Sequence, residues 1–331
     1  MRATSFKHAA ADYQEAVGGP FPDSSIWRVT QRAGAILAAR RTVEAERAVA
    51  VPEPGESPQQ RRVAEEQPIT GPANISTDGT MILIREEGWK EVKMSAISAV
   101  SVQPATTTPS GSSAPVSAAQ RAHESRVTLS QHSYVAGLWE VDEFIKYQYA
   151  EGLRRGLERA EKLSSVNDAA AWIQRATATN YPQAVQIVDW SHGSGHLSTV
   201  ANEVLGEGSP AARTWVEARK AELWEGQVDA VIGALQTLVV EDKRWPAAVT
   251  QAPGYFENNR ERMRYPEFRQ AGYPIGSGTV ESGGNNVVQL RMRRPGRGWA
   301  RAHTNGMLAL LCEYHSGRFD RTWAALSQPA A

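Results

Sequence analysis

Three acidic residues, far apart along the chain, have the chemistry of a divalent-metal site. Asp78 lies within the apolar run ISTDGTMILI, Asp168 follows a short predicted strand, and Glu281 opens an arginine-rich segment. A carboxylate in an apolar strand is costly unless it is paired or bound to a metal ion. Two Asp and one Glu form a hard, oxygen-only donor set, which suits Mg²⁺ or Mn²⁺ rather than zinc. The three residues are therefore candidate ligands of a divalent cation.

Both aspartates also have a simpler structural interpretation. Asp78-Gly79 is a common hairpin-turn dipeptide, and an Asp directly before AAAWI, as at Asp168, is an ordinary helix N-cap. Asp189, which ends the next predicted strand, is an alternative to Asp168 as the second acid. We favour Asp168, because its strand is expected beside that of Asp78, whereas the strand of Asp189 is expected one place further out.

The elements that position these carboxylates follow an α/β pattern. Three predicted strands precede a helix, a strand, a second helix and a last strand, and the strands lie at 75–84, 89–102, 126–136, 163–166 and 184–188. A strand that follows a crossover helix is expected to run parallel to an earlier strand. This order predicts a ribonuclease H-like mixed sheet flanked by helices, with the fourth strand beside the first. The first of the two helices is predicted over 140–163.

Composition and periodicity divide the chain into five parts. These are a helical N-terminal region (1–50), a linker rich in Pro, Glu and Gln (51–72), the first part of the core (73–196), a helical insertion (197–272) and the C-terminal part of the core (273–325). The N-terminal region predicts a helical pair, which is either a helix-turn-helix DNA-binding unit or an arm that packs on the main domain. A small, polar, proline-containing stretch at 104–119 predicts a loose surface excursion.

The composition excludes several classes of protein. The 331 residues include 36 basic and 36 acidic side chains, so any affinity for nucleic acid requires local clustering of charge. The single cysteine, Cys312, excludes an intrachain disulfide and a Cys-rich zinc module, and we expect a cytoplasmic protein. No stretch of about 18 apolar residues occurs, so no membrane span is expected.

Positive charge is concentrated near the third carboxylate. Residues 260–301 contain nine Arg and three Glu without Lys or Asp, a net charge of +6. Arginine forks fit phosphate oxygens and an indole can stack on an exposed base, although such a run is also typical of a solvated face. The predicted DNA-binding residues are Arg291, Arg293, Arg294, Arg297, Trp299 and Arg301.

Two further patterns follow the last predicted strand. His192 and His196 are four residues apart and could bind a metal from one helical face, but we favour a structural role in which His192 hydrogen-bonds to Asp189 or the backbone. Gly193-Ser194-Gly195 between a strand and a helix would suit a dinucleotide site. Ser198 stands where the third glycine of that motif belongs, so the match is weak.

Four segments together resemble the ISKra-type bacterial insertion-sequence transposases. They are DGTMILIREEGWKEVK, NDAAAWI, VQIVDWSHGSGHL and the stretch from GYPIGSGTVESGG to GRFDRTW, and the resemblance covers residues 74–323. It implies a ribonuclease H-like DDE enzyme that cleaves transposon ends and joins them to target DNA. Asp78, Asp168 and Glu281 would be its catalytic residues.

The resemblance also implies partners and a structural motif. Asp189 and His192 are similar to the Asp/Cys-x-x-His element that follows the fifth strand in Mutator-like and related transposases. Double-stranded DNA, from terminal inverted repeats and from the target, would be the substrate, and a homodimer or larger assembly would form on it. A catalytically inactive DNA-binding descendant and another ribonuclease H-like nuclease are the alternatives.

Overall fold

The strands of the protein form one mixed sheet. The computed structural model describes residues 5–51, 63–103, 126–239 and 245–327, and the sheet within them has the order β3-β2-β1-β4-β5. The strands are β1 (Ala73–Ile84), β2 (Gly88–Gln103), β3 (Arg126–Gly137), β4 (Leu163–Asn167) and β5 (Val185–Val188). The first three form an antiparallel meander, while β4 pairs parallel to β1 and β5 parallel to β4. The fourth strand therefore lies beside the first, as predicted.

Helices account for most of the remaining described residues. Their bounds are α1 (Phe6–Val17), α2 (Asp23–Val49), α3 (Val141–Arg154), α4 (Ala171–Asn180), α5 (Trp190–Leu205), α6 (Pro210–Trp224), α7 (Val228–Val239), α8 (Ala247–Thr250), α9 (Ala252–Asn259), α10 (Tyr265–Gln270), α11 (Gly278–Gly283), α12 (Arg301–His315) and α13 (Phe319–Ser327). α11 continues directly through a π-helical segment, Gly284–Gln289, and a last turn, Leu290–Met292.

One alternative interpretation is excluded and one local prediction is wrong. Asp78-Gly79 does not form a hairpin turn, because both residues lie inside β1 and pair with Met94 and Lys93 of β2. The helix predicted over 140–163 ends at Arg154, since Gly156 adopts a left-handed backbone with φ of 68° and stops it before β4.

Helices cover both faces of the sheet. On one face, the α11 helix with its continuation and α12 bury the second half of β1, and the shared core includes Ile82, Ile84, Val288, Leu308 and Leu311. The other face holds α3 and α4. Gln148 of α3 donates hydrogen bonds to Thr77 and Ser95 at 3.0 and 2.9 Å, and Thr177 of α4 contacts Ser165 at 3.0 Å. These buried polar pairs fix the sheet between the two helical layers.

The N-terminal helical pair packs on the rest of the fold. The helix α2 crosses α12 so closely that a Cβ added at Gly34 would lie 2.8 Å from the backbone of Gly306. This packing agrees with the arm alternative, while DNA binding by the pair stays a prediction. Residues 52–62 of the predicted linker and the predicted excursion at 104–119 lie outside the described residues. The rest of the linker packs against the end of α3, where Val63 and Ile69 are buried.

A buried ionic network joins α2, α3 and α12. Arg41 pairs with Glu313, and Arg318 binds both Glu313 (3.2 Å) and Glu151 (2.8 Å). Burial opposes ionisation of Glu151, but Arg318 and Arg154 outweigh it and lower its pKa to about 2. The network therefore fixes the arm to the core through charges that stay ionised at neutral pH.

The predicted insertion between β5 and Glu281 is helical where the structure describes it. The helices α5 to α10 enclose a core of their own, which includes Leu197, Leu223, Val231 and Phe256 and reaches Val188 at the end of β5. The helix α5 begins directly after β5 and runs past residue 196, so this layer is continuous with the sheet edge.

Candidate metal centre

Asp78 and Asp168 lie at the same level on neighbouring parallel strands. The register of β1 and β4 aligns Ile75 with Ser165, and each aspartate lies three residues further along its own chain segment. Parallel strands are about 4.8 Å apart, so this register brings the two carboxylates together. Asp78 is half-buried, and the charge of Asp168 contributes to its raised pKa. The pairing predicted from strand order is therefore supported by the register.

Asp168 is not a helix N-cap. Its Oδ1 accepts a hydrogen bond from the Ala170 N–H at 3.0 Å, which forms a short turn after β4. The helix α4 begins at Ala171, and Ala170 occupies the cap position without a side-chain bond. The turn directs the chain away from β4 and leaves Asp168 directly after the carboxyl end of this strand. Asp78 lies on the neighbouring strand, β1.

Glu281 lies in the first turn of α11. Ser277, one turn earlier, donates a hydrogen bond from its Oγ to Glu281 Oε1 at 3.3 Å, while the carboxylate is exposed to solvent. The two glycines that follow allow the helix to lie flat on the sheet. A Cβ added at Gly283 would lie 2.7 Å from the Tyr134 ring, and the chain continues from Gly284 as a π-helix. Glycines that would weaken an isolated helix are therefore needed for close packing here.

Asp189 connects β5 to the segment that carries Glu281. It is 1% exposed, its Oδ1 accepts from the His192 N–H at 2.8 Å and its Oδ2 accepts from the Ser277 N–H. The His192 ring lies 3.4 Å from the same Oδ1, which confirms the predicted contact between the two residues. The Trp190 N–H also donates to Ile275 O at 2.9 Å. We call Asp189, His192 and Ser277 the aspartate latch.

The charges of the acidic residues act on one another and on His192. Burial raises the pKa of Asp78, the Gly79 N–H opposes this, the charges of Asp168 and Glu281 raise it further, and His192 lowers it. The hydrogen bond to Asp189 raises the pKa of His192 against the effect of burial, and the charges of Asp189, Asp168 and Glu281 add to it. Four carboxylates and one imidazole thus converge on one edge of the sheet.

One group in this site has the spacing of metal ligands. Asp189, His192 and Glu281 each offer one ligand atom, and these atoms all lie within 4.8 Å of one another. From the sequence we favoured a structural role for Asp189 and His192, with Asp189 as the alternative second acid, and did not place them beside Glu281. The signals in the sequence were the strand end at Asp189 and the similarity to an Asp/Cys-x-x-His element. Since both Asp189 oxygens already accept hydrogen bonds, Glu281 and His192 are the accessible members of this group.

Two other interpretations of this region are not supported. The ligand-spaced group does not include His196, whose ring centroid lies 3.9 Å from that of Tyr255 and whose pKa is lowered by burial and by the charge of His192. Gly193-Ser194-Gly195 lies within the first turns of α5, which begins at Trp190. The segment is therefore helical and does not form the glycine loop that a dinucleotide site requires.

The arginine-rich segment divides into anchored and outward-facing residues. Trp299 extends the sheet edge, because its N–H donates to Leu83 O at 2.8 Å and its indole N–H donates to Met292 O at 3.0 Å. Arg301 forms a two-bond ion pair with Glu87. Arg293 is exposed and lies 5.7 Å above the Trp89 ring, which is 55% exposed. Base stacking by Trp299 stays a prediction, since this ring is partly buried.

Three further arginines of the segment differ in their surroundings. Arg294 donates from Nε to Leu290 O at 2.8 Å, and Arg297 lies on the exposed turn before Trp299. Arg291 is half-buried, and burial together with the charge of Arg297 lowers its pKa to about 10. The outward-facing charge is therefore carried mainly by Arg293, Arg294 and Arg297.

Comparison with known proteins leaves the assignment of function to the geometry above. Among the described residues, no helix has the length and apolar character to cross a membrane. No protein-family model matches the chain, and no curated protein matches its sequence.

Proposed function

We propose that the protein is a DDE transposase of the ISKra type, with a ribonuclease H-like catalytic core that cleaves transposon ends and joins them to target DNA. The observation that carries the proposal is that the charges of Asp168 and Glu281 both act on Asp78, although the three residues are up to about two hundred positions apart in the chain. The strand order β3-β2-β1-β4-β5, with β4 and β5 parallel to β1, supports the core assignment.

The donor chemistry of the site fits divalent cations. Burial raises the pKa of Asp78, and the charges of Asp168 and Glu281 raise it further, so bound cations would stabilise the ionised carboxylates. Oxygen-rich donor sets suit Mg²⁺ or Mn²⁺. Two ions held by Asp78, Asp168 and Glu281 would supply activation of water or of a 3′-hydroxyl and stabilisation of the departing 3′-oxygen.

The remaining residues of the site orient these groups. The aspartate latch holds Ser277, and Ser277 in turn hydrogen-bonds Glu281, so the third carboxylate is fixed relative to β5. Asp168 is fixed by its turn to Ala170, and Asp78 by the ladder to β2. The basic segment follows Glu281 directly in the chain. Its outward-facing arginines would bind the DNA backbone, with an affinity that falls as salt rises.

The proposal is tested with the purified protein and duplexes that end in the inverted repeats flanking its gene. We expect Mg²⁺-dependent cleavage and strand joining by the unchanged protein. Asp168→Asn should abolish both while DNA binding persists, because the change removes one charge from the site and no arginine. Asp229→Asn, at an exposed ion pair in the insertion, is the matched control and should retain activity.

The outcomes separate the candidate functions. Cleavage without joining would indicate another ribonuclease H-like nuclease. Binding to DNA without metal-dependent cleavage by the unchanged protein would indicate an inactive descendant. Full cleavage by Asp168→Asn together with loss of cleavage by Asp189→Asn would reverse our choice of the second acid.

A further inference from the structure

A recess whose described lining includes none of the four site carboxylates lies beside the arginine-rich segment. It has a volume of about 540 Å³ and is bounded by the starts of α1 and α2, the loop before α12, and the first turn of α12. Cavities of a few hundred cubic ångströms are typical of small-molecule sites. Part of its wall comes from the N-terminal arm, so the arm completes a site that the core alone would leave open.

The charge of this recess is strongly positive. Its described lining includes the cationic side chains Lys7, Arg85, Arg291 and Arg297 against one carboxylate, Asp23. Arg85 is exposed and is held in place by a hydrogen bond from its Nε to Gly298 O at 2.8 Å. Arginine forks at fixed positions match the oxygens of a phosphate group. The lining therefore selects an anion, and phosphate has the oxygens to engage several forks.

Aromatic rings form the other part of the wall. Arg291 lies 4.5 Å above the Phe6 ring and 5.7 Å above the Trp299 ring, so its guanidinium is presented between flat surfaces. Trp27 is 40% exposed, and its ring meets His303 edge-on at 5.6 Å between centroids. An exposed indole beside cationic groups is the combination that binds an unpaired base together with its phosphate.

We propose that this recess binds one unpaired nucleotide of a DNA strand, with its phosphate against Arg85 and Arg291 and its base against Trp27. The inference rests on the proposed function for the source of that strand. Asp78 lies within β1, and Arg85 lies one residue beyond its end. Their separation of seven residues corresponds to about 23 Å along an extended strand, at 3.3 Å per residue. The bound nucleotide is therefore not the one that reacts at the carboxylates. It belongs to a neighbouring part of the same DNA end.

The test uses a fluorescein-labelled, single-stranded decanucleotide with a 5′-phosphate, in EDTA at fixed salt, and measures its affinity by anisotropy. We expect Trp27→Ala to weaken binding about tenfold, as removal of one stacked base contact does. Arg85→Ala should weaken it by a similar factor. Trp323→Ala is the matched control, since this tryptophan is 37% exposed on α13 and outside the recess. It should bind as the unchanged protein does.

Two results would overturn the proposed nucleotide site. Equal affinity of Trp27→Ala and Trp323→Ala, with loss only in Arg85→Ala, would indicate a phosphate site without a base contact and would overturn the proposal. Unchanged affinity in both recess variants would also overturn it. Thermal unfolding of each variant near the wild-type temperature shows that the recess is intact. If the recess variants bind the oligonucleotide normally and the unchanged protein shows Mg²⁺-dependent cleavage, the nucleotide site is refuted and the proposed function stands. If the recess variants lose binding but the unchanged protein shows no cleavage, the nucleotide site stands without the proposed function.

Discussion

The aspartate latch predicts a large effect of one isosteric change, Asp189→Asn. In the folded protein both carboxylate oxygens of Asp189 accept backbone N–H groups, from His192 and from Ser277, and the residue is 1% exposed. Asparagine has one oxygen and one NH₂ group in the same volume. Whichever way its amide turns, one backbone N–H must face another donor inside the protein.

The magnitude follows from these contacts. A buried donor without a partner costs about 1–3 kcal/mol, and a hydrogen bond to a charged acceptor contributes about 1 kcal/mol more than one to a neutral acceptor. We therefore expect Asp189→Asn to lower the free energy of unfolding by about 2–4 kcal/mol at pH 7. The contact to the His192 ring adds little, because this ring is nearly half exposed.

Urea unfolding at pH 7 measures this loss, and Asp12→Asn provides the control. Asp12 faces His8 on the exposed surface of α1, so its change should alter stability by less than about 0.5 kcal/mol. Burial would raise the pKa of Asp189, but the hydrogen bonds from His192 and Ser277 hold it below its ordinary value. Its stabilising effect is therefore present above about pH 4 and is lost as the pH falls through the folded-state pKa. A stability of Asp189→Asn within 0.5 kcal/mol of wild type at pH 7 would refute the latch.

Three further changes test other parts of the account. Asp78→Asn should raise the melting temperature of the metal-free protein, because it removes a charge that burial and the charges of Asp168 and Glu281 disfavour. It should also remove the stabilisation that added Mg²⁺ gives the unchanged protein, and a lower melting temperature would contradict this. Gly34→Ala should cost more than 2 kcal/mol in chemical unfolding, because its Cβ would meet Gly306, whereas Gly233→Ala, with open space around it, should stabilise by up to about 1 kcal/mol. Glu151→Gln should lower the free energy of unfolding by about 3 kcal/mol at pH 7, the lower end for a broken buried ion pair, because Arg318 keeps Glu313 and Arg154 keeps Glu44 as partners. The Glu151 carboxylate stabilises the fold above about pH 4 and this effect is lost as the pH falls towards 2, so the difference between the two proteins should narrow in an acid titration followed by circular dichroism.

The sheet was predictable because its connections leave few choices. A meander followed by two helix-connected strands places β4 against β1, and this alone brings Asp168 to the level of Asp78. Asp78 was singled out because a carboxylate is costly in an apolar strand. Asp168 was placed after β4 because it follows a predicted strand end, although its turn differs from the N-cap that an Asp before AAAWI indicates.

The parts that were not predictable depend on contacts between distant segments. Asp189 and Ser277 are 88 positions apart, and nothing in either local sequence indicates that one binds the other. Trp299 was interpreted as a base-stacking residue from its neighbours in the chain. In the structure its backbone pairs with the end of β1, through bonds to Leu83 and Arg85 that the local sequence does not indicate, and base stacking by its ring stays a prediction. Gly283 looked unfavourable for a helix until the Tyr134 ring was placed against it.

Anomalous diffraction from crystals of the protein with Mn²⁺ and a DNA end tests the central claim most directly. The account predicts manganese peaks bounded by Asp78, Asp168 and Glu281, and predicts that these peaks disappear in crystals of Asp168→Asn. Peaks confined to Asp189 and His192, or no peak near Asp78 and Asp168, would contradict it.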